Sequence, residues 1–222
     1  MEMILCIETA TTNCSVAIFK GAECIAFKED AASGYSHNEQ LHVFIQDVCT
    51  QAGINLADLQ AIAVSKGPGS YTGLRIGVSA AKGLCYALSI PLIAIESLVV
   101  LAQPAQGIAD FIIPMIDARR MEVYSCVLDR EGRPLELAKA EILSQESYSN
   151  YLERGTVNFI GNGVEKWKKL CPHENAQFNS GVLPSAKDMG PLALKFYEKR
   201  GFVDVAYFEP YYLKDFQTLQ KT

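Results

Sequence analysis

The sequence predicts an α/β protein of two similar halves, each with a mixed sheet. Three observations carry this reading. Short β-rich runs alternate with amphipathic helical stretches along most of the chain. Each half opens with a meander of short strands and only then alternates strand with helix. Between the halves lies Pro104-Ala105-Gln106-Gly107, the clearest boundary signal in the chain. The expected division is therefore 1–105 and 106–222, with the last segment free to pack back on the first half.

In the first half, residues 3–9, 14–20 and 22–28 read as strands. Cys14-Ser15-Val16-Ala17-Ile18-Phe19 is rich in β-formers, and Lys20-Gly21 marks a turn. A polar loop from Asp30 to Ser36 leads to a helix over 37–52. Its apolar positions Leu41, Phe44, Ile45, Val48 and Cys49 form a stripe of period 3.6, and Gly53 is its C-cap candidate. Ala61-Ile62-Ala63-Val64 is a buried strand, followed by a glycine-rich turn and a helix over 73–89. Pro91 to Ile95 is another buried strand, and a helix near 96–103 ends close to Pro104.

In the second half, Phe111 to Ile116 and Glu122 to Asp129 read as strands joined by Asp117-Ala118-Arg119-Arg120. A turn at Glu131-Gly132-Arg133-Pro134 precedes a strand over 135–142. A short helix ends near Glu153. The strand 157–160 meets a second glycine turn, Gly161-Asn162-Gly163, before a helical stretch from Val164 to Leu170. Residues 172–186 read as irregular, and a final helix spans 187–199. Pro210-Tyr211-Tyr212-Leu213-Lys214 reads as extended or loop.

Composition narrows the function. The chain has 222 residues, is 49% hydrophobic and carries a formal net charge of −5. It has no basic block, so it lacks the electrostatic footprint of a protein that grips nucleic acid unaided. Seven cysteines without a C-x-x-C, several inside apolar runs, suit buried thiols in a reducing compartment. No apolar run approaches the ~20 residues needed to cross a bilayer. The expectation is a cytoplasmic protein without a membrane contact.

The segment Gly67-Pro68-Gly69-Ser70-Tyr71-Thr72-Gly73-Leu74-Arg75-Ile76-Gly77 carries the most information. A strand, a glycine turn and a helix N-terminus make a natural anion pocket, because free backbone N–H groups point out of the first turn. The Walker A pattern fails, since Leu74 and Arg75 follow Gly73 where lysine and a hydroxyl residue are required. The dinucleotide fingerprint fails by one place: Thr72 stands where its third glycine belongs, although Glu96 lies where a ribose-binding acid would fall. A third reading is the clamp of an actin-like ATPase, in which hairpin and glycine turns of two domains hold a nucleotide. Glycines used only for tight turns and close packing are the plain alternative.

The helix after the turn has three stripes. Leu74, Val78, Ala81 and Cys85 should face the sheet; Arg75, Ser79, Lys82 and Tyr86 are polar; Gly73, Gly77, Ala80, Gly83 and Ala87 are small. Interior glycine costs up to ~1 kcal/mol against alanine, so the small stripe suggests close approach of another helix, internal or from a partner. No metal site is expected. His37 and His42 are separated by about 140° on a helix, and no acid–histidine cluster completes a set. No nucleophile constellation appears, because the setting of Ser70 lacks the elbow spacing. Lys66 is placed to meet a phosphate or solvent. Asp117, Arg119 and Arg120 suit either a ligand contact or surface ion pairs.

These segments resemble the TsaB (YeaZ) family, subunits of the bacterial machinery that makes threonylcarbamoyladenosine in tRNA. The glycine segment is the most specific match. Glu8-Thr9-Ala10-Thr11, Ser36-His37-Asn38-Glu39, Ile116-Asp117-Ala118-Arg119, Gly161-Asn162-Gly163 and Pro210-Tyr211-Tyr212-Leu213 support it. The resemblance implies an actin-like (ASKHA, RNase H-like) fold of two similar α/β subdomains, shared with the catalytic TsaD paralogues. The paralogues' H-x-x-x-H metal motif is absent here, where Glu96-Ser97-Leu98-Val99-Val100 stands instead. Glu8 replaces the family's usual aspartate at the first hairpin.

What the resemblance implies is a non-catalytic scaffold supporting TsaD in threonylcarbamoyl transfer to N6 of a tRNA adenosine. The implied partners are TsaD as a heterodimer and the TsaE ATPase in a ternary complex, with a homodimer when alone and tRNA met only through the complex. The implied interface uses helices 37–52 and 73–89, with Val43, Phe44, Asp47, Gly73, Ile76, Gly77, Ala80 and Gly83 as contacts. Glu8, Thr9, Gly67, Gly69, Ser70, Thr72, Gly161 and Gly163 would be vestigial nucleotide loops. No cofactor is required on this reading, with ATP or ADP at most weakly held or shared at an interface. The alternative is an independent ASKHA-type ATP-binding enzyme or a glycoprotease-like hydrolase.

Overall fold

Among the described residues, ten strands form two five-stranded sheets with the same wiring. In the computed structural model, which describes residues 1–31 and 37–214, the first sheet contains β1 (Met3–Glu8), β2 (Cys14–Lys20), β3 (Glu23–Asp30), β4 (Ala61–Gly67) and β5 (Leu92–Glu96). Their order is β3-β2-β1-β4-β5. The first three strands form an antiparallel meander, and β4 and β5 run parallel to β1. The second sheet repeats this with β6 (Phe111–Asp117), β7 (Glu122–Asp129), β8 (Pro134–Ile142), β9 (Val157–Gly161) and β10 (Ala176–Ser180), ordered β10-β9-β6-β7-β8. This is the duplicated α/β plan with mixed sheets expected from the sequence.

The first sheet is covered on both faces, which is why its central strands are apolar without alternation. On one face, α1 (His37–Ala52) and α2 (Tyr71–Leu88) seat Leu41, Phe44, Ile45, Val48, Val78, Ala81 and Cys85 on Leu5, Ile7, Val16, Ile62 and Val64. On the other, α3 (Ser97–Ala102) and the late helix α6 (Gly190–Glu198) bring Val100, Met189 and Ala193 against Ile4, Cys6, Ala63, Ile93 and Ile95. The period of two along β1 sends Leu5 and Ile7 one way and Ile4 and Cys6 the other. Each such side chain, fully buried, contributes about 1.5–3 kcal/mol.

The second sheet has its own core. Between β8 and β9 lies α4 (Ser149–Leu152), and after β9 comes α5 (Val164–Lys168). Trp167, Phe159 and Tyr148 meet edge to face or tilted at 5.5–5.8 Å, and the Tyr148 hydroxyl bonds Ser125 Oγ at 2.8 Å.

Three differences from the sequence reading have physical causes. The stretch 172–186 is not all irregular: β10 is a parallel edge strand on β9, anchored by one large apolar side chain, Phe178, stacked on Phe159 at 5.7 Å. A single large apolar residue in five, beside one alanine, gives no periodic signal. The helix expected from residue 73 starts at Tyr71, because the hydroxyl of Ser70 accepts the Gly73 N–H at 3.3 Å and serves as N-cap. The last helix is shorter than expected: residues Ala186–Asp188 form a separate 3₁₀ turn, held to the first sheet by the Ala186 N–H donating to Ser15 Oγ at 2.9 Å, and the α-helix begins only at Gly190. The polar loop read between Asp30 and Ser36 lies mostly outside the described residues.

Candidate functional site

Two features converge at the C-terminal end of β4: a closed glycine loop, and beside it an open groove between α1 and α2. The loop is closed by the chain itself. The Ser70 N–H donates to the Ala10 carbonyl at 2.6 Å. A Cβ on Gly69 would stand 2.3 Å from that same oxygen, and one on Gly67 would stand 2.7 Å from the Tyr211 carbonyl. Gly67 also has φ +109°, which only glycine adopts freely. So the hairpin loop after β1 and the C-terminal tail occupy the space around these glycines.

Glu8 is fully buried at the start of this hairpin loop. Its Oε1 accepts the Ala10 N–H at 2.6 Å, and its Oε2 has no hydrogen-bond partner among the described residues. Burial lifts the carboxyl to about 7, against weaker opposition from hydrogen bonds at Ala10, Ser65 and Thr9. Thr9 Oγ1 donates to the Gly73 carbonyl at 2.8 Å, and His37 Nε2 bonds the Thr11 carbonyl at 2.8 Å. Lys66, read as a candidate phosphate contact, pairs with Glu96 at 3.1 Å.

The groove between α1 and α2 has a volume of about 720 Å³ and is lined by Asn38, His42, Thr72, Arg75, Ile76, Ala80 and Gly83, among others. Ile76 and Ala80 are half-buried on its floor, and a Cβ on Gly83 would meet nothing within 4 Å. Arg75 lies over the Tyr71 ring at 4.8 Å, and Tyr212 from the tail packs on Tyr71 at a centroid distance of 4.8 Å.

The candidate interface residues divide into outward and inward groups. Ile76, Ala80, Gly83 and the exposed Val43 stand on the outer face of the two helices. Thr72, expected in a nucleotide loop, stands with them. Asp47 is partly exposed and pairs with Lys28. Phe44 is corrected to a core position: it is 7% exposed, belongs to the cluster under α1, and carries Lys28 over its ring at 4.9 Å. Gly73 and Gly77 are corrected too. They face Thr9 of this chain, and an added Cβ would lie 2.1 Å from its carbonyl oxygen or 2.2 Å from its Oγ1.

The second glycine turn serves packing as well. The Gly163 N–H donates to the Met115 carbonyl at 3.0 Å, and a Cβ on Gly161 would stand 2.2 Å from the same oxygen. No cluster of three or more His, Cys, Asp or Glu side chains among the described residues is placed to hold a metal ion. All cysteines but Cys24 are buried, and burial pushes the thiols of Cys14 and Cys85 up to about 11 and about 12. No described helix is long and apolar enough to cross a membrane.

The sequence allowed the last segment to pack back on the first half, but gave none of the contacts of the strap formed by residues 203–214. Val203 bridges Leu92, Lys82 Nζ donates to the carbonyls of Ala206 at 3.2 Å and Phe208 at 2.8 Å, and the Tyr211 N–H donates to the Lys66 carbonyl at 2.7 Å. Lys214 then reaches Glu122 on β7. The one signal was the Tyr211-Tyr212 pair, two large rings in a segment without periodicity.

Comparison with known proteins accords with this geometry. Residues 31–199 match the family model described as TsaD, tRNA N6-adenosine threonylcarbamoyltransferase. The tRNA threonylcarbamoyladenosine biosynthesis protein TsaB of Escherichia coli K12 is 33% identical over 96% of this chain and 94% of its own length. The TsaB protein of Haemophilus influenzae is 28% identical over 98% and 96%. The solved structure of YeaZ from Pseudomonas aeruginosa superposes with a TM-score of 0.83 at 28% identity, covering 96% of this chain and all of that one. With one third of its residues identical to the Escherichia coli TsaB protein over nearly its whole length, this chain belongs to the TsaB (YeaZ) family of tRNA threonylcarbamoyladenosine biosynthesis proteins.

Proposed function

We propose that this chain is a non-catalytic scaffold that pairs with a TsaD-type transferase through the α1–α2 groove and so supports threonylcarbamoyl transfer to tRNA adenosine. The observation that carries the reading is the split of the small helix stripe. Gly73 and Gly77 are consumed inside the chain, whereas Ala80 and Gly83 leave an open, shallow wall that a partner helix can approach closely. The filling of the glycine loop by Ala10 and Tyr211 supports a role that needs no nucleotide of its own; ATP or ADP would then act at a shared interface or on a TsaE-type ATPase. The same groove would serve a homodimer when the transferase is absent. An interface of standard size, about 1,600 Å² in total, suits this face.

The test is co-purification with a TsaD-type transferase, followed by a tRNA-modification assay with and without this chain. Ala80→Arg should abolish the complex and the stimulation while leaving the monomer folded. Equal modification without the chain would remove the scaffold role. A complex that survives Ala80→Arg would place the interface elsewhere.

A further inference from the structure

The turn between β6 and β7 is built in an unusual way. Arg119 and Arg120 both adopt left-handed backbone, with φ of 70° and 49°. Such a conformation is unfavourable for any side chain with a Cβ, and glycine or asparagine is its ordinary occupant. The turn is nonetheless held firmly. The Asp117 carboxylate accepts the Arg119 N–H at 2.6 Å, and Asn162 Oδ1 accepts the Asp117 N–H at 2.8 Å.

The charges around the turn are distributed unevenly. Asp117 is matched by Lys166 Nζ at 2.6 Å, and the same ammonium donates to the Glu122 carbonyl at 3.2 Å. The Glu122 carboxylate is matched by Lys214. Each nearby acid thus has a lysine. Arg119 and Arg120 are exposed, and neither guanidinium has an ion pair or hydrogen bond among the described residues. Two free arginines at one hairpin tip are conspicuous in a chain of net charge −5.

We propose that Arg119 and Arg120 form a contact for the phosphate backbone of RNA. The identity of the polyanion rests on the tRNA-modification reading above. A guanidinium fork matches phosphate oxygens in a bidentate manner, which a lysine does not. The tip also suits a nucleic acid better than a protein. The turn itself carries one exposed large apolar side chain, Met121, and Ile142 stands exposed opposite Glu122 at the adjoining end of β8, which is small for an apolar centre. A protein interface needs a desolvated apolar centre, whereas phosphate contacts work at a solvated rim. The contact is small, consistent with a protein that meets tRNA together with a partner.

The test is binding of an unmodified tRNA transcript to the full-length chain, alone and with the TsaD-type transferase, followed by fluorescence anisotropy across a salt series. The variant is Arg119→Asn with Arg120→Asn, which keeps a residue suited to left-handed backbone. It should weaken binding about tenfold and flatten the slope of log K against log salt by about two. A control losing the same charge elsewhere, Lys195→Gln with Lys199→Gln, should leave the slope unchanged. The proposal falls if wild type shows no binding in either setting, if the arginine variant matches wild type, or if the control weakens binding equally. It falls too if the variant loses the transferase but keeps tRNA, since the arginines would then serve a protein contact. A chain that binds tRNA through these arginines yet fails to stimulate modification would sink the scaffold role and leave this contact standing.

Discussion

Thr9 and Gly73 are locked together from two directions. Thr9 Oγ1 donates to the Gly73 carbonyl at 2.8 Å, and the Thr9 carbonyl lies 2.1 Å from where a Cβ on residue 73 would be. The relationship joins the first hairpin loop to the first turn of α2. Gly73→Ala must displace backbone, not a mobile side-chain tip. It is expected to cost about 1–3 kcal/mol as overpacking, in spite of alanine's better helix propensity. Thermal unfolding should drop by several degrees, at about 2–4 °C per kcal/mol for a chain of this size.

Gly83→Ala should do the reverse. Nothing lies within 4 Å of its added Cβ, and the helix gains about 0.5–1 kcal/mol from the loss of glycine's backbone freedom in the unfolded chain. If Gly83 lines a helix–helix interface, the same methyl that stabilises the isolated chain should weaken its complex with the transferase. A melting curve and a binding isotherm on one variant check both signs. A variant that is more stable and binds as tightly as wild type would move the interface away from Gly83.

The contrast between these glycines shows what the sequence could and could not carry. The small stripe on α2 was legible, but its direction was not. Steps of three residues rotate the helix by about −60° each, so a run through Gly77, Ala80 and Gly83 drifts from the buried side to the open one. Phe44 had the same ambiguity: the period placed it on the core stripe, and its size made it attractive as a contact. The centres of the two sheets were legible because β1, β4, β6 and β9 are buried almost throughout. The edge strand β10 and the contacts of the strap were not, because one large apolar side chain in five, or bonds to Lys66 and Lys82, leave no periodic trace.

The strap itself gives a prediction. Lys82 Nζ is the donor for two tail carbonyls, those of Ala206 and Phe208, while Val203, Val205 and Phe208 pack on the α1–α2 core. Lys82→Ala removes the donor and leaves the apolar contacts. Its cost should be modest, about 1 kcal/mol, because solvent reaches these carbonyls and replaces part of the lost bonding. The sharper signature is local: hydrogen exchange should accelerate in the strap, including the Tyr211 amide, and not in β1 or β4. Uniform acceleration across the sheet would mean that the strap is part of the global folding unit.

Burial of Glu8 makes stability depend on pH in a direction opposite to that of most carboxylates. Its carboxyl is raised to about 7 in the folded chain from an ordinary 4.5. Between those values the native state keeps a proton that the unfolded chain has released. Stability from this group is therefore complete below pH 4.5, declines as pH rises through the window, and levels off above about 7. The slope is about 1.4 kcal/mol per pH unit, for a total on the order of 3 kcal/mol. Glu8→Gln keeps an acceptor for the Ala10 N–H and has no charge to bury. Relative to wild type, the glutamine variant should therefore gain stability from pH 4.5 to about 7 and show a constant difference above that. Urea unfolding at pH values on both sides of the window measures the difference. Parallel profiles for the two proteins would show that Glu8 is ionised in the fold and that an unseen partner satisfies its second oxygen.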